Sequence, residues 1–127
     1  MYIDNNPELY RDRLGDIIIF KFLREQELDD IIKLCELQVY DEGETVVQEG
    51  DVDQSFYAVV DGSVEVTVQE KKRSVYICTI GAGEVFGEAG LFIRVKRTAN
   101  ITTSGGTVLL RIRREEFNQF IRKYPST

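Results

Sequence analysis

Gly62–Glu70 reads GSVEVTVQE, in which Val64, Val66 and Val68 alternate with Glu65, Thr67 and Gln69. A period of two sends successive side chains to opposite faces of a strand, one face apolar and one polar. The next run, SVYICTI from Ser74 to Ile80, divides the same way, with Tyr76, Cys78 and Ile80 opposed to Val75, Ile77 and Thr79. TVLLRIR, from Thr107 to Arg113, repeats the pattern through Val108, Leu110 and Ile112. Glycine-rich punctuation separates these runs: DEGET, QEGD, VDGSV, GAGEVFGEAG and SGGT. Short strands at regular spacing between such turns predict an antiparallel sandwich or barrel.

The flanks follow a different period. Between Leu14 and Leu37 the apolar residues Ile17, Ile18, Phe20, Phe22, Leu23, Leu28, Ile31, Ile32, Leu34 and Cys35 recur at helical spacing, in two groups divided by REQE (24–27). They predict a helix at each end of that segment, covering a core. At the other end, REEFNQFIRKYP places Phe117, Phe120 and Ile121 at i, i+3 and i+4 with Pro125 as the stop, which predicts a short amphipathic helix. The expected order is helices, a small β-structure, then one helix, in one domain over 1–127.

Composition removes several functions. The 16 basic residues are outnumbered by 22 acidic ones, for a net charge of −6, and this opposes direct binding to a nucleic-acid backbone. No apolar run approaches a membrane span, and the acids of MYIDNNPELYRDRLGDIIIF stand where a secretory signal carries basic residues, so a cytoplasmic chain without membrane contact is expected. Cys35 and Cys78 are far apart and form no metal-spaced pair; two reduced, partly buried thiols are the expectation. There is no histidine, which removes the usual general base, the histidine triads and His-ligated metals. A non-enzyme without cofactor or metal is expected.

One stretch concentrates backbone freedom and positive charge. GEVFGEAGLFIRVKRTANI, from Gly83 to Ile101, joins two strand-like segments and so crosses one mouth of the β-structure. Gly87-Glu88-Ala89-Gly90-Leu91 suits a single helical turn whose first N–H groups lack internal partners and attract an anion. Glycine at 87 and 90 lets a ligand approach the backbone, and Arg97, nine residues after Glu88, supplies a planar fork for two phosphate oxygens. A carboxylate beside a phosphate is repulsive unless it serves another group, and a sugar hydroxyl is the natural partner for Glu88. The combination points to a sugar phosphate. Arg94 and Lys96 either raise the local potential or are solvated loop charges.

FGEAGLFIRVKRTANI resembles the phosphate-binding cassette of the cyclic nucleotide-binding domain family, whose pattern is Phe-Gly-Glu, a small residue, an aliphatic, and an arginine followed by small residues. The likeness extends through DIIIFKFLREQELDDIIKLCELQVYDEGETVVQEGD, FYAVVDGSVEV and FNQFIRKYP, covering about 14–124. It implies a mainly β fold, an eight-stranded antiparallel jelly-roll-like β-barrel with N-terminal helices and a short C-terminal helix, acting as a non-catalytic regulatory sensor of cAMP or cGMP. On the matching positions, Glu88 is similar to the acid that accepts the ribose 2′-hydroxyl and Arg97 to the residue that pairs with the cyclic phosphate. Gly87, Ala89 and Gly90 resemble the rest of that cassette, and Val66, Cys78 and Ile80 resemble the residues lining the base side, where the alternative is plain core.

Thr98 follows the arginine where many relatives carry alanine, and it resembles the threonine of the kinase branch responsive to cGMP. Cys78 weighs the other way, standing where one cGMP-selective type carries arginine. Lys96 replaces a proline common before the arginine. The family implies that Leu91 and either Phe117 or Phe120 relay binding to the last helix. The further lid helix of relatives has no counterpart after Pro125, which leaves two expectations: a fragment of a channel, kinase regulator or transcription factor, or a chain standing alone with an uncapped pocket or a lid from an effector domain or partner protein. A scaffold of the same fold that binds no nucleotide and acts through protein contacts is the alternative, opposed by the presence of both Glu88 and Arg97.

Overall fold

The computed structural model describes residues 1–6, 10–18, 20–52, 54–87 and 97–125. In chain order the elements are β1 (Tyr2–Asp4), α1 (Arg11–Gly15), α2 (Glu25–Leu34), β2 (Glu36–Tyr40), β3 (Thr45–Val47), β4 (Ser55–Asp61), β5 (Ser63–Glu70), β6 (Arg73–Gly81), β7 (Val85–Phe86), β8 (Asn100–Thr103), β9 (Thr107–Arg113) and α3 (Arg114–Lys123). The strands form two sheets, ordered β1-β2-β9-β4-β7 and β3-β8-β5-β6, and every pairing is antiparallel. The mainly β architecture with flanking helices is as expected. The eight-stranded barrel is not what the described residues form: they give nine strands in two separate sheets with side chains packed between them. The additional strand is β1, whose YID carries no alternation long enough to read.

The five-stranded sheet is covered on both faces. Phe56, Ala58 and Val60 of β4 and Val108, Leu110 and Ile112 of β9 pack with Leu14, Ile17, Phe20, Ile31, Ile32 and Phe120 beneath the helices. The intervening Tyr57, Val59 and Leu109 point the other way and join Val47, Val64, Phe86 and Ile101 between the sheets. This explains why SFYAVVD is a continuous apolar run: a strand buried on both sides has no polar face to alternate with. The turn from β4 to β5 requires Gly62, at φ +85°, because a Cβ there would stand 2.6 Å from the carbonyl oxygen of Gly106.

The segment 14–37 departs from the expected helix pair. α1 ends at Gly15, and the apolar residues after it turn through i→i+3 bonds, Ile17 N–H to Leu14 O (3.3 Å), Phe20 N–H to Ile17 O (2.8 Å) and Leu23 N–H to Phe20 O (3.1 Å). Such tight turns bring every third residue to the core, as Leu14, Ile17 and Phe20 show, and leave Ile18 and Phe22 exposed. REQE does not divide two helices; it starts α2, where Glu27 accepts the Arg24 N–H at 2.8 Å and satisfies an orphan donor. Leu37 belongs to β2.

β6 carries a second departure. Val66 pairs with Cys78 but Thr67 pairs with Tyr76, so Ile77 is the extra residue of a bulge. The bulge reverses the phase: Tyr76 joins Thr79 on the outer face, their hydroxyls 2.8 Å apart, and Val75 joins the inner face with Cys78 and Ile80. Uninterrupted alternation had put Tyr76 with Cys78 and Ile80.

α3 buries Phe120, sets Phe117 edge-on to Phe56 with ring centres 6.0 Å apart, and leaves Ile121 exposed, its expected place being taken by Tyr124 against the Phe120 ring at 5.2 Å. Asp30 of α2 accepts hydrogen bonds from Lys123 Nζ (2.7 Å) and from the Tyr124 hydroxyl, and these two donors, Lys123 first, hold its carboxyl below the ordinary 3.8. The Gln38 amide and then the Arg113 guanidinium likewise hold Glu36 below 4.5 against the opposing effect of burial. A depressed carboxylate contributes stability above its unfolded pKa and loses that contribution as pH falls through the folded value. The melting temperature is therefore expected to be level from about pH 5 to 8, to fall below about pH 4, and to fall less steeply in Asp30→Asn. Identical acid slopes for the variant and the parent would refute the α2–α3 clamp.

Candidate functional site

The stretch from Gly87 to Arg97 is where sequence reading puts the chemistry, and its two ends meet. The Arg97 backbone is gripped by the turn 48–51: its N–H donates to Asp51 O at 2.7 Å and its carbonyl accepts from Gly50 N–H at 2.7 Å. That turn is held in turn by Asp51, whose Oδ2 accepts the Gln48 N–H at 3.1 Å, and by Asn100, whose Oδ1 accepts the Glu49 N–H at 2.8 Å. QEGD is thus more than punctuation; it fixes where the arginine leaves the chain.

The guanidinium is seated as firmly as the backbone. Nη2 of Arg97 donates to Ser55 O at 2.6 Å and Nη1 to Gly87 O at 3.2 Å. Gly87 lies at φ +78°, and a Cβ on it would run into Nη1 and stand 3.1 Å from Cζ. Glycine is required here on two counts, by its backbone conformation and by the arginine lying against it. Beneath Gly87, Phe86 stacks on Tyr57 of β4, ring centres 5.1 Å apart and planes at 11°, and the two are cross-strand partners. This fixes the approach of the loop to the sheet.

Val66, Cys78 and Ile80 fall on one face of the sheet. Val66 pairs with Cys78 and Val64 with Ile80, so all share the inner face of the β5–β6 hairpin. Val66 and Ile80 pack against the inter-sheet core, and Cys78 is exposed rather than partly buried. Cys35 packs against the helix-side core, where burial pushes its thiol upward; both cysteines are free. Thr98 is exposed. Glu88, Ala89, Gly90, Leu91, Arg94 and Lys96 lie outside the described residues.

Sequence reading missed Gly50, Asp51, Ser55 and Arg111. Ser55 is fully buried, and besides its carbonyl bond to Arg97 its Oγ accepts from Arg111 Nε at 3.2 Å. The signal for Arg111 was a charge inside TVLLRIR, in phase with inward-facing Leu109. Among the described residues no three His, Cys, Asp or Glu side chains are placed to hold a metal, and no helix is long and apolar enough to cross a membrane.

Comparisons with known proteins give the relatives of the chain and of its fold. The family described as "Cyclic nucleotide-binding domain" matches residues 37–124. The chain is 35% identical over 117 residues to cGMP-dependent protein kinase 2 of Homo sapiens, covering 90% of this chain and 15% of that protein. It is 28% identical over 103 residues to the cAMP-dependent protein kinase type II regulatory subunit of Drosophila melanogaster, covering 81% of this chain and 27% of the other. The crystal structure of Thermus thermophilus Catabolite Activator Protein superposes with a TM-score of 0.76 at 28% identity, over 84% of this chain and 51% of that one. The chain spans a minor part of the two kinase relatives, and the shared part contains the Gly87–Arg97 site. This chain belongs to the cyclic nucleotide-binding domain family.

Proposed function

We propose that this domain is a regulatory sensor that binds a purine cyclic mononucleotide, cGMP in preference to cAMP, without altering it chemically. The observation that carries the reading is the seat of Arg97: its guanidinium rests against Gly87 at the start of the cassette, with both ends held by backbone carbonyls. In this reading Arg97 pairs with the cyclic phosphate, Glu88 accepts the ribose 2′-hydroxyl, and Gly87, Ala89 and Gly90 let the ligand reach backbone N–H groups. Val66, Cys78 and Ile80 form the base side.

A ligand shifts a conformational balance only through different affinities for the two states. Here the neighbouring carbonyls of Gln54 and Ser55 serve both parties. Gln54 O accepts the first N–H of α3, from Arg114, at 2.8 Å, and Ser55 O accepts Arg97. The seat of Arg97 and the start of α3 therefore share one strand end, and the family resemblance adds Leu91 and either Phe117 or Phe120 to that relay. The relatives' kinase and regulator roles suggest that an effector domain or a partner protein reads this relay.

Titration calorimetry with cGMP, cAMP and a cyclic dinucleotide tests the reading. Heat with the mononucleotides supports it, whereas heat with none of the three favours the scaffold alternative. Thr98→Ala is expected to weaken cGMP more than cAMP, by about one neutral hydrogen bond, or roughly threefold to tenfold. Equal losses would remove Thr98 from the selectivity.

A further inference from the structure

We infer that Arg111 and Ser55 are positioning residues for Arg97, a role that rests on the phosphate-binding reading of that arginine. Ser55 has no solvent exposure and is a buried polar residue at the first position of β4. Its two oxygens serve two guanidinium groups: the carbonyl takes Arg97 Nη2 at 2.6 Å, and Oγ takes Arg111 Nε at 3.2 Å. Arg111 is itself fixed by its strand, since β9 places it between Glu36 of β2 and Tyr57 of β4. Glu36 compensates the charge, and it is anchored in turn by Gln38 Nε2 at 2.7 Å and Arg113 Nη2 at 3.3 Å.

The physical consequence follows from the order of these bonds. A buried hydroxyl that lost its donor would reorient or draw in water, and the strand end carrying the Ser55 carbonyl would loosen with it. Arg97 would keep its charge but not its fixed direction, and a planar fork gains affinity for phosphate only when its geometry is already set. Arg111 thus acts on the ligand through Ser55 and Arg97.

The test is a double-mutant cycle on the full chain, read by calorimetry with cGMP and cAMP, with melting temperature as the control for folding. Arg111→Met and Ser55→Ala are each expected to weaken binding about fivefold to tenfold, and the double variant no more than either alone. In an Arg97→Ala background Arg111→Met is expected to change affinity less than about twofold. A second readout needs no ligand: the Arg97 Nε–Hε resonance is expected to shift in both Arg111→Met and Ser55→Ala. Ser55→Ala, which removes one oxygen, carries the test if Arg111→Met fails to fold. Additive losses, or a harmless Ser55→Ala beside a damaging Arg111→Met, overturn the positioning role and leave the phosphate reading standing. An Arg97→Ala variant that binds as well as the parent overturns the phosphate reading, and this inference with it.

Discussion

Arg97→Ala is expected to weaken cyclic nucleotide binding by at least one to two powers of ten, because each charge-assisted hydrogen bond to a phosphate contributes roughly 1.5–3 kcal/mol. The fold is expected to survive, since the backbone of Arg97 stays held by Gly50 and Asp51 whatever its side chain. Calorimetry of the variant beside a far-ultraviolet circular dichroism spectrum separates the two effects. Unchanged affinity with an unchanged spectrum would take Arg97 out of the site.

Gly87→Ala is the second large effect, and it should divide unevenly between stability and binding. At φ +78° an alanine costs about 1 kcal/mol of backbone strain, equivalent to a melting shift of roughly 3–5 °C in a domain of this size. Its Cβ meets the end of the Arg97 side chain rather than rigid backbone, so the clash is relieved by the guanidinium moving. The relief removes the arginine from its seat between Gly87 O and Ser55 O, and a loss of about tenfold or more in affinity is expected, comparable to losing one charged hydrogen bond. A variant that melts lower but binds normally would show that the seat does not matter to the ligand.

The parts of the fold that could be read in the sequence are those with one wet face. β5 shows its alternation because Glu65 and Gln69 are exposed while Val64 is buried. β4 hides its nature because both its faces are buried, and β1 is too short to show any period. The bulge at Ile77 could not be read, because Tyr76, Ile77 and Cys78 fit either phase by composition and only the partner strand decides. The tight turns from Leu14 to Leu23 imitate helical spacing because a three-residue repeat and a 3.6-residue repeat agree over so short a run.

The site divides along similar lines. Gly87 and Arg97 could be singled out because residue types alone express a freed backbone and a planar fork, and the structure sets the two against each other. Ser55 and Arg111 were not, because they act through a carbonyl and a strand register that bring together positions 55, 97 and 111. The QEGD turn was recognised as a turn, but its grip on Arg97 depends on a pairing some 46 residues along the chain.

A crystal structure of the chain with cGMP tests the central claim most directly. The account predicts both Arg97 Nη atoms or their fork within about 3 Å of the cyclic phosphate oxygens, with the Glu88 carboxylate on the ribose 2′-hydroxyl. A nucleotide bound elsewhere, with Arg97 still turned to Ser55 O and Gly87 O and away from any phosphate, would contradict it.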